Sequence, residues 1–106
     1  MADPLYSLAR VISAAKAGRV TLTRKVQVDT QELDYALEDV HNCLATLCEG
    51  DYRGVFEKEG VKFDVYHPRY KGPTGQIDEL YVKLSERTNA TLPQVVLASF
   101  HLKRFG

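Results

Sequence analysis

The sequence predicts an α+β fold in which two or three N-terminal helices pack on an antiparallel sheet. Apolar residues recur every three or four positions in much of residues 1–50, as they do on the buried face of a helix. From residue 51 they alternate with polar residues, as they do in strands with one buried face. Helices followed by a run of strands are typical of an α+β fold. A chain of 106 residues fits one domain, so a single domain covering 1–106 is expected.

The first helix is expected close to the N-terminus. Asp3 is suited to cap it, Pro4 to occupy its first position, and Gly18 to follow its last turn. The apolar positions give one stripe for burial, made of Leu5, Leu8, Val11, Ile12 and Ala15.

The next segment allows two interpretations. Residues 20–22 alternate as in a short strand, whereas Thr23 could cap a short helix that reaches Leu33, and the short helix is favoured. A further helix is predicted from Asp34 to Gly50. Its buried face would consist of Leu37, Val40, Leu44 and Leu47.

Four strands are predicted in the second half of the chain. The first two are joined by a tight turn at 59–60, and the loop 68–75, rich in Pro and Gly, follows them. The run of apolar residues in the last strand predicts a central position in the sheet, covered on both sides. The predicted strands are 52–58, 61–67, 76–87 and 94–103.

Charge is distributed unevenly, although 14 basic and 14 acidic residues give a net charge of zero. Residues 1–25 contain five basic residues and one acidic residue, residues 26–51 contain seven acidic residues and no Lys or Arg, and residues 52–106 contain nine basic and six acidic residues. This asymmetry permits one basic and one acidic face.

Location, metal binding and cofactors are constrained by what the sequence lacks. It shows no apolar run long enough for a membrane span and no secretory pattern. The expected location is therefore the cytoplasm, and no membrane partner is expected. Cys43 and Cys48 would point away from each other on a helix, so we expect two buried free thiols. No zinc-type spacing occurs, and neither a metal nor a cofactor is expected.

The exposed faces of the predicted strands carry residues that could act on a phosphodiester. Tyr81 and Lys83 share one face of the third strand, and Ser99 and His101 share one face of the fourth. Cleavage of RNA without a metal requires a base for the 2′-hydroxyl proton, cations for the phosphorane and an acid for the leaving 5′-oxygen. Each of these residues is also common as an ordinary surface or packing residue. Composition and periodicity alone therefore indicate a small α+β domain with a candidate anion-binding sheet face.

Seven short motifs in a specific order and spacing resemble those of a known family. They are AGRVTLTR (17–24), EL (32–33), LCEGDY (47–52), DVYHPR (64–69), TGQ (74–76), LYVK (80–83) and ASF (98–100). The chain resembles the MqsR family (motility quorum-sensing regulator), the toxins of bacterial type II toxin–antitoxin pairs. The resemblance implies a RelE-like fold and a metal-independent, sequence-specific endoribonuclease that cleaves single-stranded mRNA. It also implies a cognate antitoxin protein, expected to carry a DNA-binding helix-turn-helix domain.

The same resemblance assigns catalytic residues. The active-site tyrosine of the family falls on Tyr81. The family lysine after the final S-F pair is His101 here, and an imidazole can still exchange protons in the physiological pH range. Another family lysine has no direct counterpart, so Lys58 or Arg53 would replace it, and a family glutamine is Phe63 in this chain. The catalytic set expected is Tyr81, His101 and Lys58.

RNA binding is expected from the cations and tyrosines around these positions. Arg69 and Lys71 would contact phosphate, and Tyr66 or Tyr70 would stack on an unpaired base. A non-catalytic RNA-binding or protein-interaction module of the same fold is the alternative, and a nuclease that needs the ribosome is a third. The expected RNA-binding residues are Arg53, Tyr66, Arg69, Tyr70, Lys71, Lys83 and Lys103.

Overall fold

The computed structural model describes residues 3–87 and 91–103. Within these ranges the chain forms three α-helices and six strands, which confirms the predicted α+β class. The helices are α1 (Leu8–Lys16), α2 (Arg24–Glu32) and α3 (Leu37–Ala45), and a short 3₁₀ helix covers Glu49–Asp51. The strands are β1 (Val20–Leu22), β2 (Tyr52–Lys58), β3 (Val61–Tyr66), β4 (Arg69–Lys71), β5 (Ile77–Glu86) and β6 (Val95–Leu102).

The strands form one sheet in the order β1-β6-β5-β3-β2, with β4 paired to β5 beside this path. All pairs are antiparallel except β1 with β6, which is parallel and aligns Val20 with Val95. The position of β6 between β1 and β5 agrees with the central position predicted from its apolar run. The four predicted strands begin and end within one or two residues of β2, β3, β5 and β6.

One face of the sheet packs against the helices. Leu80, Val82 and Leu84 of β5 are fully buried on this face, and they share a core with Val11 of α1 and Leu44 of α3. Because side chains alternate along a strand, the residues between them project from the opposite face. That opposite face is only partly covered, and it carries the polar residues discussed below.

The first helix begins later than predicted. Ser7, not Asp3, caps it, with its hydroxyl accepting a hydrogen bond from the Arg10 N–H at 3.4 Å. The preceding backbone is instead held by the buried Asp64 carboxylate, which accepts from the N–H groups of Leu5 (3.0 Å) and Tyr6 (2.8 Å). Pro4 and Asp3 therefore precede the helix, and Leu5 is exposed rather than buried.

Both interpretations of the segment after α1 are correct in part. Residues 20–22 form β1, and Thr23 then caps α2 by accepting from the Val26 N–H at 3.4 Å. The third helix is shorter than predicted, since Asp34 adopts a left-handed backbone (φ 58°) and α3 starts only at Leu37, which is exposed.

Two further expectations require correction. Residues 69–71, predicted as part of a loop, form the short strand β4 against β5. Cys43 and Cys48 are both free, but only Cys43 is buried, whereas Cys48 is exposed. Among the residues that the structure describes, no helix is long and apolar enough to cross a membrane.

Candidate functional site

Three rings lie in a row across three adjacent strands on the open face of the sheet. Tyr81 of β5 is the register partner of His101 of β6, and their rings stack with centroids 5.1 Å apart and planes 10° apart. His67, directly after β3, contacts the other side of Tyr81 with centroids 5.5 Å apart. We call these three residues the histidine–tyrosine row. The antiparallel register of β3, β5 and β6 brings them together from positions far apart in the sequence.

His101 has a defined hydrogen-bonding geometry. Its Nδ1 lies 2.8 Å from the Leu102 carbonyl oxygen. Because a carbonyl can only accept, this contact is a hydrogen bond only when Nδ1 carries the proton. In the neutral ring Nε2 then holds the lone pair, so His101 can exchange a proton through Nε2.

His67 is half-buried and lies near two cations. Burial lowers the pKa of its imidazole below the usual value of 6.5, and the charges of Lys103 and Arg53 lower it further. Its backbone N–H donates to the Asp51 carbonyl at 2.8 Å, which fixes the chain where β3 ends. Burial and the two nearby charges therefore favour the uncharged form of the His67 ring.

Lys83 places an ammonium group next to the row on β5. Its Nζ lies 4.5 Å from the ring centroid of Phe56 and 5.2 Å from that of Phe63, both within cation–π range. Partial burial lowers the pKa of this ammonium, and the nearby charges of Lys25 and Lys58 lower it further. Lys58, predicted to be catalytic, thus lies close enough to Lys83 to act on it electrostatically.

Helix α2 adds a cation that no sequence pattern predicted. The Nζ of Lys25 donates to the hydroxyl of Ser99 at 3.4 Å, and Ser99 is the register partner of Lys83. Helix α2 packs against β6, which explains how a residue from the N-terminal half reaches this face. Lys25, Lys58 and Lys83 therefore concentrate positive charge on one side of the histidine–tyrosine row.

The predicted role of Tyr66 is corrected by its burial. Tyr66 is fully buried on the helix side of the sheet, with its ring against that of Tyr52 at 5.3 Å. Tyr70 also faces the helices, since it donates to Asp39 at 3.2 Å and its ring contacts Tyr35. Neither ring lies on the face of the row, so the expectation that one of them stacks on a base is not supported.

The remaining predicted cations are spread around the row. Arg69 and Lys71 are exposed on β4, and Arg69 forms a weak ion pair of 3.8 Å with the exposed Glu79. The Nη1 of Arg53 donates to the carbonyls of Gly50 (2.8 Å) and Tyr52 (3.0 Å), which orients its guanidinium on the 3₁₀ turn. These exposed residues can attract a polyanion.

An acidic groove borders the row on the side of α2. It has a volume of about 420 Å³ and is lined by Asp29, Glu32, Leu33, His101 and Leu102. Asp29 Oδ2 is buried there and has no hydrogen-bond partner among the described residues. The groove thus brings two carboxylates to the His101 end of the row.

His67 is not among the predicted site residues, although the alternation of residues along β3 indicates its position. Phe63, Val65 and His67 alternate along β3, and this periodicity places His67 on the same face as its cross-strand neighbours Tyr81 and Lys83. In the ranges 3–87 and 91–103, no three His, Cys, Asp or Glu side chains are grouped so that they could hold a metal ion.

Comparison with known proteins leaves the family open. No protein-family model matches the chain, and no curated protein matches it either. The resemblance to the MqsR family therefore stays a prediction that rests on the motifs alone.

Proposed function

We propose that this protein is a metal-independent endoribonuclease that cleaves single-stranded RNA. The observation that supports it best is the stack of Tyr81 on His101, next to the ammonium groups of Lys83 and Lys58, on the partly exposed face of the sheet. A proton-transfer group, a hydroxyl donor and cations are the parts that cleavage of a phosphodiester by its own 2′-hydroxyl requires.

The chemistry follows from the position of each group. The 2′-oxygen attacks phosphorus in line with the departing 5′-oxygen, which leaves a 2′,3′-cyclic phosphate and a 5′-hydroxyl. His101 exchanges a proton through Nε2 with one of these two oxygens. The Tyr81 hydroxyl donates a hydrogen bond to a non-bridging oxygen of the phosphate. Lys83 and Lys58 stabilise the negative charge of the phosphorane, and each such donor can contribute a factor of about 10²–10³ in rate.

Exposed aromatic surface supports the choice of a single-stranded substrate. Phe56 on β2 remains 40% exposed next to Lys83, so an unpaired base can stack on it while its phosphate meets the ammonium. This ring takes the role that the sequence suggested for Tyr66 or Tyr70. A base inside a duplex could not present its face in this way.

We place this activity in a bacterial toxin–antitoxin pair, as an mRNA interferase of the cytoplasm. The support is the order of the MqsR-like motifs, which include the Tyr81–Lys83 stretch and the residues before His101. The partner would be an antitoxin protein with a DNA-binding helix-turn-helix domain. Expression of the chain without a partner is expected to arrest growth, and Tyr81→Phe or His101→Ala is expected to restore it.

The direct test uses the purified chain and a labelled synthetic single-stranded RNA of mixed sequence, in buffer containing EDTA. We expect discrete products that end in a 2′,3′-cyclic phosphate, no cleavage of the matching 2′-O-methyl RNA, and a loss of about 10²–10⁴-fold in His101→Gln. Lys16→Ala, an exposed cation on α1, serves as the matched control and is expected to cleave normally.

The same experiment distinguishes the alternative function. A non-catalytic RNA-binding module is favoured by the exposed Phe56 beside Lys83, because a stacking platform and a cation suffice for binding. Salt-dependent binding of the RNA without any products would support that module and refute the nuclease. Cleavage that appears only when ribosomes are added would instead identify a ribosome-dependent enzyme.

A further inference from the structure

The histidine–tyrosine row contains two imidazoles, and they lie on opposite sides of one phenol. Tyr66 pairs with Val82 across β3 and β5, so the next residue, His67, comes level with Tyr81, and His101 is level with Tyr81 on β6. Two interstrand spacings of about 4.8 Å place the imidazoles about 10 Å apart. A phosphate that rests on the Tyr81 hydroxyl would be reached by one imidazole from each side.

This spacing suits an in-line displacement. The attacking 2′-oxygen and the leaving 5′-oxygen stand on opposite sides of phosphorus, so the group that removes a proton and the group that supplies one must also stand on opposite sides. A single imidazole at Tyr81 could serve only one of the two oxygens at a time. His67 and His101 supply a group for each.

The surroundings of the two rings differ in a way that assigns their roles. The charged groups that face His67 are Arg53 from β2 and Lys103 from the segment after β6, while Tyr81 faces it from β5. Partial burial and two cations disfavour the imidazolium form of His67, which lowers its pKa and leaves the ring ready to accept a proton. His101 instead lies on the other side of Tyr81, where it lines the acidic groove together with Asp29 and Glu32.

We propose that His67 is a second catalytic residue of the candidate site, acting as the general base, while His101 acts as the general acid. This assignment rests on the proposed endoribonuclease function. The 2′-hydroxyl proton passes to a ring nitrogen of His67 as the bond from the 2′-oxygen to phosphorus forms. The bond from phosphorus to the 5′-oxygen breaks as the His101 imidazolium gives its proton to that oxygen. One proton is accepted and one is donated, so the two histidines exchange protonation states over the reaction.

The experiment compares pH–rate profiles of single-turnover cleavage for the wild type, His67→Gln and His101→Gln. His41→Gln is the control, because His41 lies on α3 outside the row and is the only other histidine of the chain. We expect a bell-shaped profile for the wild type and for the control, with the acidic limb below pH 6.5. His67→Gln is expected to lose about 10²–10⁴ in rate together with the acidic limb.

A second substrate distinguishes the general base, His67, from the general acid, His101. RNA with sulfur in place of the leaving 5′-oxygen, at the cleavage site mapped in the wild type, needs no acid because the thiolate departs unprotonated. We expect this substrate to restore cleavage by His101→Gln and not by His67→Gln. Restoration of His67→Gln alone would overturn the assignment by reversing the two roles.

Further outcomes keep the proposal distinct from the function on which it rests. Cleavage by His67→Gln at the wild-type rate, with an unchanged profile, would overturn the role of His67 and leave the nuclease standing. Absence of cleavage by the wild type would overturn the nuclease itself. If His67→Gln does not fold, NMR of the imidazoles in the wild-type protein tests the role of His67 instead. The resonances of His67 and His101, and not those of His41, should shift when a non-cleavable 2′-deoxy analogue binds, and an unmoved His67 would refute its role.

Discussion

Replacement of Asp64 by alanine tests how the N-terminal segment is held against the sheet. The Asp64 side chain has no exposed surface, and its carboxylate accepts three hydrogen bonds. The donors are the backbone N–H groups of Leu5 (3.0 Å) and Tyr6 (2.8 Å) and the hydroxyl of Tyr52 (3.1 Å). Alanine would leave all three donors without this acceptor.

The expected loss of stability is smaller than the sum of three bonds. A hydrogen bond to a charged group contributes about 1.5–3 kcal/mol. The segment containing Leu5 and Tyr6 can detach, however, so that its N–H groups regain water and only the Tyr52 hydroxyl stays trapped. Removal of a buried charge also offsets part of the loss. We therefore expect Asp64→Ala to lower the free energy of unfolding by about 2–4 kcal/mol.

Equilibrium urea denaturation at neutral pH measures this loss. Glu57→Ala, an exposed carboxylate on β2, is the matched control and should change the free energy of unfolding by less than about 0.5 kcal/mol. Hydrogen exchange at Leu5 and Tyr6 should also become faster in Asp64→Ala alone. A loss below about 1 kcal/mol, with unchanged exchange at these two amides, would refute the claim that Asp64 holds the segment.

Three other predictions concern close packing, thiol chemistry and pH. Gly72→Ala should destabilise the fold by about 1–3 kcal/mol in urea denaturation, because the new Cβ would lie 3.1 Å from the Asp78 carboxylate; an unchanged midpoint would contradict this. Under native conditions Cys48 should react with a thiol reagent while Cys43 does not, since burial raises the pKa of the Cys43 thiol to about 12; equal labelling by mass spectrometry would be inconsistent with it. Burial and the hydrogen bond to a carboxylate raise the pKa of Tyr52 from 10.0 to about 12, so its contribution to stability is complete below pH 10 and is lost as the pH rises towards 12. Tyr52→Phe should weaken this alkaline decline in a series of melting temperatures, and an identical decline would refute the linkage.

The strands could be predicted from the sequence because their alternation is local. The positions of β2, β3, β5 and β6 follow from period-two patterns with turn residues between them. By contrast, β4 has three residues between Pro68 and Gly72, too few to show a period. The start of α1 is not predictable for a different reason, since the carboxylate that holds the preceding backbone lies about sixty residues away in the sequence.

The candidate site was predictable only as far as faces of strands could be assigned. Tyr81 and His101 were expected on exposed faces, but their direct pairing depends on the register, which a bulge at Lys83 and Leu84 shifts. The face of Tyr66 cannot be predicted from the sequence, because β3 carries apolar residues on both sides and buries Asp64 towards the helices. A carboxylate inside the core is the reverse of what hydrophobic patterning indicates.

The central position of β6 has a consequence for the order of assembly during synthesis. Translation produces β1 and α2 early. Strand β6, which pairs with β1 and packs against α2, is the last strand that the structure describes. The pairing of Val20 with Val95 closes a long loop, a kind of contact that slows folding. The nascent polypeptide therefore cannot juxtapose Lys25 with Ser99, or Tyr81 with His101, before β6 leaves the ribosome. A chain cut short by premature termination ahead of β6 would lack both the middle of its sheet and its surface for nucleic acid.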